Sequence, residues 1–149
     1  MRLNSEKILI LAILILIILT GCKKNTFSLE EKYDNSKITE IDNNEFDELL
    51  KNKESFVVFI YETSCITSND FSKMLTEFSN KNKISLYKMS FADMKNTELN
   101  NKIKFYPSLV LFNKGVLVDY LDAEADDDKE YYKNVDGLES WFSKYVTIR

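Results

Sequence analysis

Apolar residues fall into two regimes along this chain. From Ile8 to Leu19 they form an unbroken run of 12 residues. From residue 38 onward they come in short bursts whose spacing switches between two and three to four. Ile38-Thr39-Glu40-Ile41 predicts a short edge strand, and Asp42 or Asn43 is placed to cap a helix carrying Phe46, Leu49 and Leu50 on one face. Ser55 to Tyr61 is continuously β-branched and aromatic, the pattern of a central strand covered on both faces. Phe71, Met74, Leu75 and Phe78 then stand at i, i+3, i+4, i+7 and predict an amphipathic helix. Ile84 to Phe91 reads as another strand, and Asp93 to Lys102 as a helix with few apolar residues. Ser108–Phe112 and Val116–Leu121 predict two strands joined by Asn113-Lys114-Gly115, a hairpin with glycine where positive φ is wanted. Asp136 is predicted to cap a last helix, with Glu139 as its capping-box partner and Leu138, Trp141, Phe142 and Tyr145 as the buried stripe. Phe56, Phe59, Tyr61, Phe105 and Phe112 are placed on predicted strands and read as core.

The order β-α-β-α-β-α-β-β-α, a parallel start followed by an antiparallel hairpin, predicts an α/β domain over residues 38–149. Its sheet is mixed, with helices on both faces.

The first apolar run is too short to span a bilayer core comfortably, which needs about 20 residues. With Arg2 and Lys7 before it, the run fits the apolar region of a secretory signal peptide. It ends Leu19-Thr20-Gly21-Cys22, which resembles the bacterial lipobox. That resemblance implies a lipoprotein signal peptide over residues 1–21. Cys22 is then acylated and becomes the mature N-terminus, so the protein is lipid-anchored on the extracytoplasmic face of the cell membrane. The other reading is an uncleaved N-terminal anchor, and both place the domain outside the cytoplasm. Residues 22–37 are polar and aperiodic and read as a tether.

Composition narrows the chemistry. The 149-residue chain is 44% hydrophobic with 3 glycines and 1 proline, enough for one domain with a sizeable core. It has no histidine, which excludes Ser-His-Asp and Cys-His sites and His-ligated zinc. A net charge of −4 argues against nucleic acid as a partner. Two cysteines, Cys22 and Cys65, are too few for a disulfide framework or a structural zinc site. No glycine-rich phosphate loop is present, so no cofactor is expected, and no metal. The acidic residues Asp122, Glu124, Asp126, Asp127, Asp128 and Glu130 lack the glycine and terminal glutamate of an EF-hand loop. They read as a solvated loop, with Tyr131 and Tyr132 beside it either adding aromatic surface or packing inward.

Two points concentrate reactive groups. Thr63-Ser64-Cys65-Ile66-Thr67-Ser68 lies where a buried strand gives way to a helix. With Ser64 as N-cap, Cys65 falls in the first turn, where unpaired N–H groups and the helix dipole favour thiolate. Ser68 is three residues on, on the same face, with a hydroxyl to offer that sulfur. The second point is Tyr106-Pro107-Ser108, which holds the only proline, ahead of an apolar strand and compatible with a cis bond.

Phe56 to Phe71, then Ile103 to Phe112, then Asn113-Lys114-Gly115 together resemble the thioredoxin superfamily, and the resemblance spans roughly residues 38–146. It implies a thioredoxin-like three-layer fold. It makes Cys65 the nucleophilic cysteine and puts Ser68 at the resolving-cysteine position. Ser64, Ile66, Thr67, Tyr106 and Pro107 become the substrate-facing surface. The departures are specific. The motif reads Cys-Ile-Thr-Ser, so the resolving thiol is missing; Phe59 stands where reductases of this family carry a buried acid; Ser64 replaces the usual tryptophan. What remains is one-thiol exchange or isomerisation on envelope or secreted proteins, completed by a substrate thiol or an external thiol donor. The competing expectation is a redox-silent binding or accessory protein, for instance in peptide or bacteriocin export, whose loop grips a peptide by backbone pairing.

Overall fold

The computed structural model describes residues 26–149. Five strands form one sheet: β1 (Ile38–Glu40), β2 (Phe56–Tyr61), β3 (Leu86–Ser90), β4 (Ser108–Asn113) and β5 (Val116–Tyr120). Their spatial order is β1-β3-β2-β4-β5, with the first three parallel and β4 and β5 antiparallel to their neighbours. Four α-helices join them: α1 (Asn43–Lys51), α2 (Ile66–Asn82), α3 (Phe91–Met94) and α4 (Val135–Phe142). Among the described residues no helix is long and apolar enough to cross a membrane.

Strand alternation divides the core in two. Val57 and Phe59 of β2, with Leu109 and Leu111 of β4, face Phe71, Leu75 and Phe78 of α2 and Leu138 and Phe142 of α4. Phe56, Val58 and Ile60, with Val110 and Phe112, face Phe46 and Leu49 of α1 together with Met94, Leu99 and Ile103. Both faces of β2 and β4 are therefore buried, which is why these strands are continuously apolar and do not alternate. This is the mixed, doubly covered sheet that the order of elements predicts.

Several local expectations shift. Asp42 is the cap of α1, and it forms a reciprocal capping box with Glu45. The last helix is capped by Asn134, whose side chain accepts from the Gly137 N–H at 2.8 Å; Asp136 lies inside the helix, and Glu139 with it pairs with Lys81. The expected helix over 93–102 is two short pieces, α3 and a 3₁₀ turn at Glu98–Asn101, because Ser90 and Thr97 each cap a new start. The hairpin turn is Lys114-Gly115, both at positive φ (52° and 76°). A side chain on Gly115 would stand 2.7 Å from the Leu50 carbonyl oxygen, so the turn is seated against the end of α1.

The expected tether over 22–37 is corrected for its described part. Phe27 bridges Val146, Leu29 is 1% exposed, and Tyr33 is buried and bridges Ile84. The Tyr33 hydroxyl donates to the Thr147 carbonyl and accepts from the Leu29 N–H. Three apolar side chains among polar neighbours show no period, so the pattern conceals that they complete the core over α2 and α4. Residues 1–25, with the predicted signal peptide and Cys22, lie outside the described residues.

Candidate functional site

The site stands past the C-terminal end of β2. There the buried strand ends at Tyr61, Glu62 to Ser64 form a turn, and α2 begins. Cys65 is itself the N-cap of α2, with extended backbone (φ −92°, ψ 120°). This corrects the expectation that Ser64 caps the helix. Ser64 is exposed, and its N–H and hydroxyl reach back to the Glu62 carboxylate at 3.5 Å. The turn is closed by the Cys65 N–H donating to the Glu62 carbonyl at 3.1 Å.

At the N-cap, Cys65 stands beside the first free N–H groups of the helix, without a side-chain capping hydrogen bond of its own. The Ser68 backbone N–H holds the Cys65 thiol below its ordinary pKa. Burial opposes it as the next largest influence, and the Ser68 hydroxyl and the Thr67 N–H and hydroxyl add smaller effects in the lowering sense. Cys65 is half-buried and is the free cysteine among the described residues. Ser68 is 1% exposed, and its hydroxyl also accepts from the Glu62 N–H at 3.3 Å, tying the end of β2 to the first turn of α2. Under the helix lies Phe59, 1% exposed and packed on Phe71 with ring centroids 5.5 Å apart.

The proline loop emerges at the same end of the sheet. Ser108 pairs with Ile60, which sets Pro107 beside the last residues of β2. The Tyr106-Pro107 bond is cis. Pro107 is buried, whereas Tyr106 and Phe105 are 36% and 48% exposed. Phe105 is thus not the core residue its sequence neighbourhood suggests. Tyr106 packs edge-on against Phe91, and Lys95 lies over the Phe91 ring. Ile66, next to the sulfur, is 79% exposed. Cys65, Ile66 and Thr67 thus share one end of the sheet with an aromatic shelf made by Tyr106 and Phe91.

Of the two readings the sequence leaves open for Tyr132, the structure selects inward packing and adds a bond to the proline loop that no local pattern signals. Its hydroxyl donates to the Pro107 carbonyl at 2.8 Å, and its ring packs on Phe71 of α2 at 4.9 Å. Burial pushes its hydroxyl pKa far up, so it remains a donor. The acidic stretch is what delivers it. Residues Asp126–Tyr132 form a 3₁₀ helix, and the Asp128 carboxylate accepts from the Asp122 N–H at 2.9 Å. The Glu130 carbonyl packs where a side chain on residue 137 would be, and that residue is glycine. Among the described residues no group of three or more His, Cys, Asp or Glu is arranged to hold a metal ion.

The thioredoxin family model matches residues 37–134. Solved structures with the same fold include a point-mutant thioredoxin from Halobacterium salinarum, 14% identical, covering 78% of this chain and 96% of its own, with a TM-score of 0.59. Thioredoxin from Schistosoma mansoni is 18% identical, covering 74% and 97%, at 0.58. Thioredoxin O1 from Arabidopsis thaliana in its oxidized state is 17% identical, covering 74% and 99%, at 0.56. No curated protein sequence matches the chain.

Proposed function

This chain belongs to the thioredoxin family, and from that premise we propose that it is an exported, lipid-anchored protein that carries out thiol–disulfide exchange through the single thiol of Cys65. The observation that carries this reading is the half-exposed sulfur at the head of α2, with its thiolate favoured by the Ser68 and Thr67 donors.

The chemistry balances with one thiol. The Cys65 thiolate attacks one sulfur of a substrate disulfide, a new S–S bond forms to Sγ, and the old one breaks. The departing sulfur leaves with the electron pair as a thiolate and takes a proton from water. Ser68 has no sulfur to complete a second displacement. The mixed disulfide therefore persists until another thiolate attacks the substrate sulfur and releases Cys65. Where that thiolate belongs to the substrate, the outcome is isomerisation. Where it belongs to an external thiol donor, the substrate sulfur passes to the donor. Ser68 and Thr67 stabilise the attacking and leaving Cys65 thiolate, while Tyr106, Pro107, Ser64 and Ile66 present a surface for an envelope or secreted polypeptide. Acylation of Cys22 holds the domain on the membrane, since two or more acyl chains anchor stably where one does not.

The second reading is a binding module without redox turnover. It is favoured by the apolar Phe59 under the helix, which leaves no buried acid there to move a proton. Alkylation of Cys65 as a function of pH, with trapping of mixed disulfides in cells, separates the two. Exchange chemistry predicts an apparent pKa below that of a free cysteine and recoverable disulfide adducts. An ordinary pKa with no adduct, together with a Cys65→Ser variant that keeps full function, establishes the binding module. For the anchor, Cys22→Ala releases or mislocalises the protein; continued retention on membranes contradicts acylation.

A further inference from the structure

We infer that the pole of the domain opposite Cys65 is the face laid against the bilayer, and that its partner there is a surface of anionic phospholipid headgroups. This rests on the Cys22 anchor proposed above and adds an orientation to it.

The poles are set by α2. Its 17 residues span about 25 Å from Cys65 to Lys83. The chain emerges at the far end of the sheet, where Ile84 bridges Tyr33. Glu54, just ahead of β2, marks the same end: Lys32 Nζ lies 3.1 Å from its carboxylate, and the Gly115 N–H donates to its carbonyl at 2.8 Å. The N-terminal segment is clasped here. The Phe27 N–H donates to the Tyr145 carbonyl at 2.8 Å, and the Thr147 N–H donates to the Phe27 carbonyl at 2.9 Å. The Tyr33 hydroxyl reaches the Thr147 carbonyl at 2.5 Å.

This clasp shortens the leash. Only four residue steps separate Cys22 from Thr26, at most about 14 Å when fully extended. A free tether of residues 22–37 would reach about 55 Å and leave the domain in any orientation. With 14 Å, the attachment point stays at the clasped pole and does not reach the Cys65 end, about 25 Å away along α2 alone.

Charge is segregated along the same axis. Lys53, Lys83 and Lys114 stand exposed at three chain reversals on the clasped pole, with Lys51 beside them. Among the described residues none of these four is in an ion pair. Arg149 lies over the Tyr33 ring. The acids at this pole are Glu30, Glu31 and Asp34, with Glu54 engaged by Lys32 and with Asp136 and Glu139 engaged by Lys81 in the last turn of α2. The Cys65 end carries Glu62 and the acidic run from Asp122 to Glu130, against Lys129 paired with Asp126 inside that run and Lys95 over the Phe91 ring. In the sequence Lys23 and Lys24 directly follow Cys22. Attraction of lysines to anionic headgroups acts within about a Debye length, roughly 8–10 Å, and a leash of at most about 14 Å keeps the pole close enough to enter that range. The thiol then faces the aqueous phase, and its substrates are polypeptides beyond the headgroup layer and not segments embedded in lipid.

The test uses the full chain, acylated and reconstituted in vesicles of one-third phosphatidylglycerol carrying headgroup energy acceptors. A donor dye is placed on Cys65, or on Lys83→Cys in a Cys65→Ser background. Transfer is expected to be several-fold stronger from position 83, and the ratio to fall toward one in phosphatidylcholine vesicles or with Lys51→Gln, Lys53→Gln and Lys114→Gln combined. Equal transfer, or stronger transfer from Cys65, overturns the orientation. A ratio indifferent to lipid charge and to the lysines overturns the headgroup partner. N-terminal mass on the same sample reports the anchor separately: an acylated chain with equal transfer sinks the orientation alone, and a chain recovered unacylated and off the membrane sinks both.

Discussion

The Tyr132 hydroxyl donates a 2.8 Å hydrogen bond to the carbonyl of Pro107, across 25 residues of sequence. The ring of the same tyrosine packs on Phe71 of the helix that Cys65 begins. One side chain thus connects the proline loop to the thiol helix, and Tyr132 is a positioning residue for that loop. Tyr132→Phe keeps the ring contact and removes the donor. It is expected to cost about 1 kcal/mol, read as a fall in melting temperature of about 4 °C. Amide exchange at Tyr106 and Ser108 should be faster than in wild type. In turnover, KM for a peptide disulfide should rise several-fold while the rate on a small aromatic disulfide holds. Unchanged exchange at those amides would show that the loop does not depend on this bond.

The thiolate at Cys65 should respond to its donors in order. Its pKa is lowered first by the Ser68 backbone N–H, which substitution does not remove, and then by the Ser68 and Thr67 side chains. Ser68→Ala and Thr67→Ala are each expected to raise the apparent pKa of alkylation part of the way toward that of a free cysteine. Because the folded-state pKa is depressed, the associated stabilisation is present above the unfolded-state value and is lost as pH falls through the folded one. Rates of iodoacetamide reaction between pH 5 and 10 measure this. A profile for Ser68→Ala superimposed on wild type would remove the hydroxyl from the account.

Leu29→Ala tests whether the N-terminal segment is part of the fold. Leu29 is 1% exposed within the core over α2 and α4. Truncating a side chain so buried costs about 3 kcal/mol, measured by urea unfolding. A leucine in a free tether would cost nothing.

Gly115→Ala strains the hairpin twice, through its φ of 76° and through the Leu50 carbonyl 2.7 Å from the added carbon. A loss of about 2 kcal/mol is expected. Val116→Thr, one residue on and exposed, serves as the near-neutral control.

What could be read in advance follows from periodicity. β2 and β4 are legible because burial on both faces leaves no polar position to interrupt them. The Cys65 and Pro107 neighbourhoods are legible because each combines a residue type with a strand boundary. Capping was less so: Asp136 and Asn134 are both good cap residues two positions apart, and only the path of the preceding 3₁₀ helix selects Asn134. Phe105 looked like core because an aromatic before an apolar strand has no local mark of its orientation.

By itself the sequence determined the order of elements, the two apolar layers and the position of a solitary sulfur at a helix start, since these depend on neighbours within a turn or a strand. Tertiary structure alone decided the rest. It folds the acidic run back so that Tyr132 meets Pro107, and it clasps Phe27 to Val146 so that the described part of the polar N-terminal segment joins the core. Both contacts join residues far apart in the chain, and no local pattern encodes a partner that only the packed sheet brings within hydrogen-bond reach.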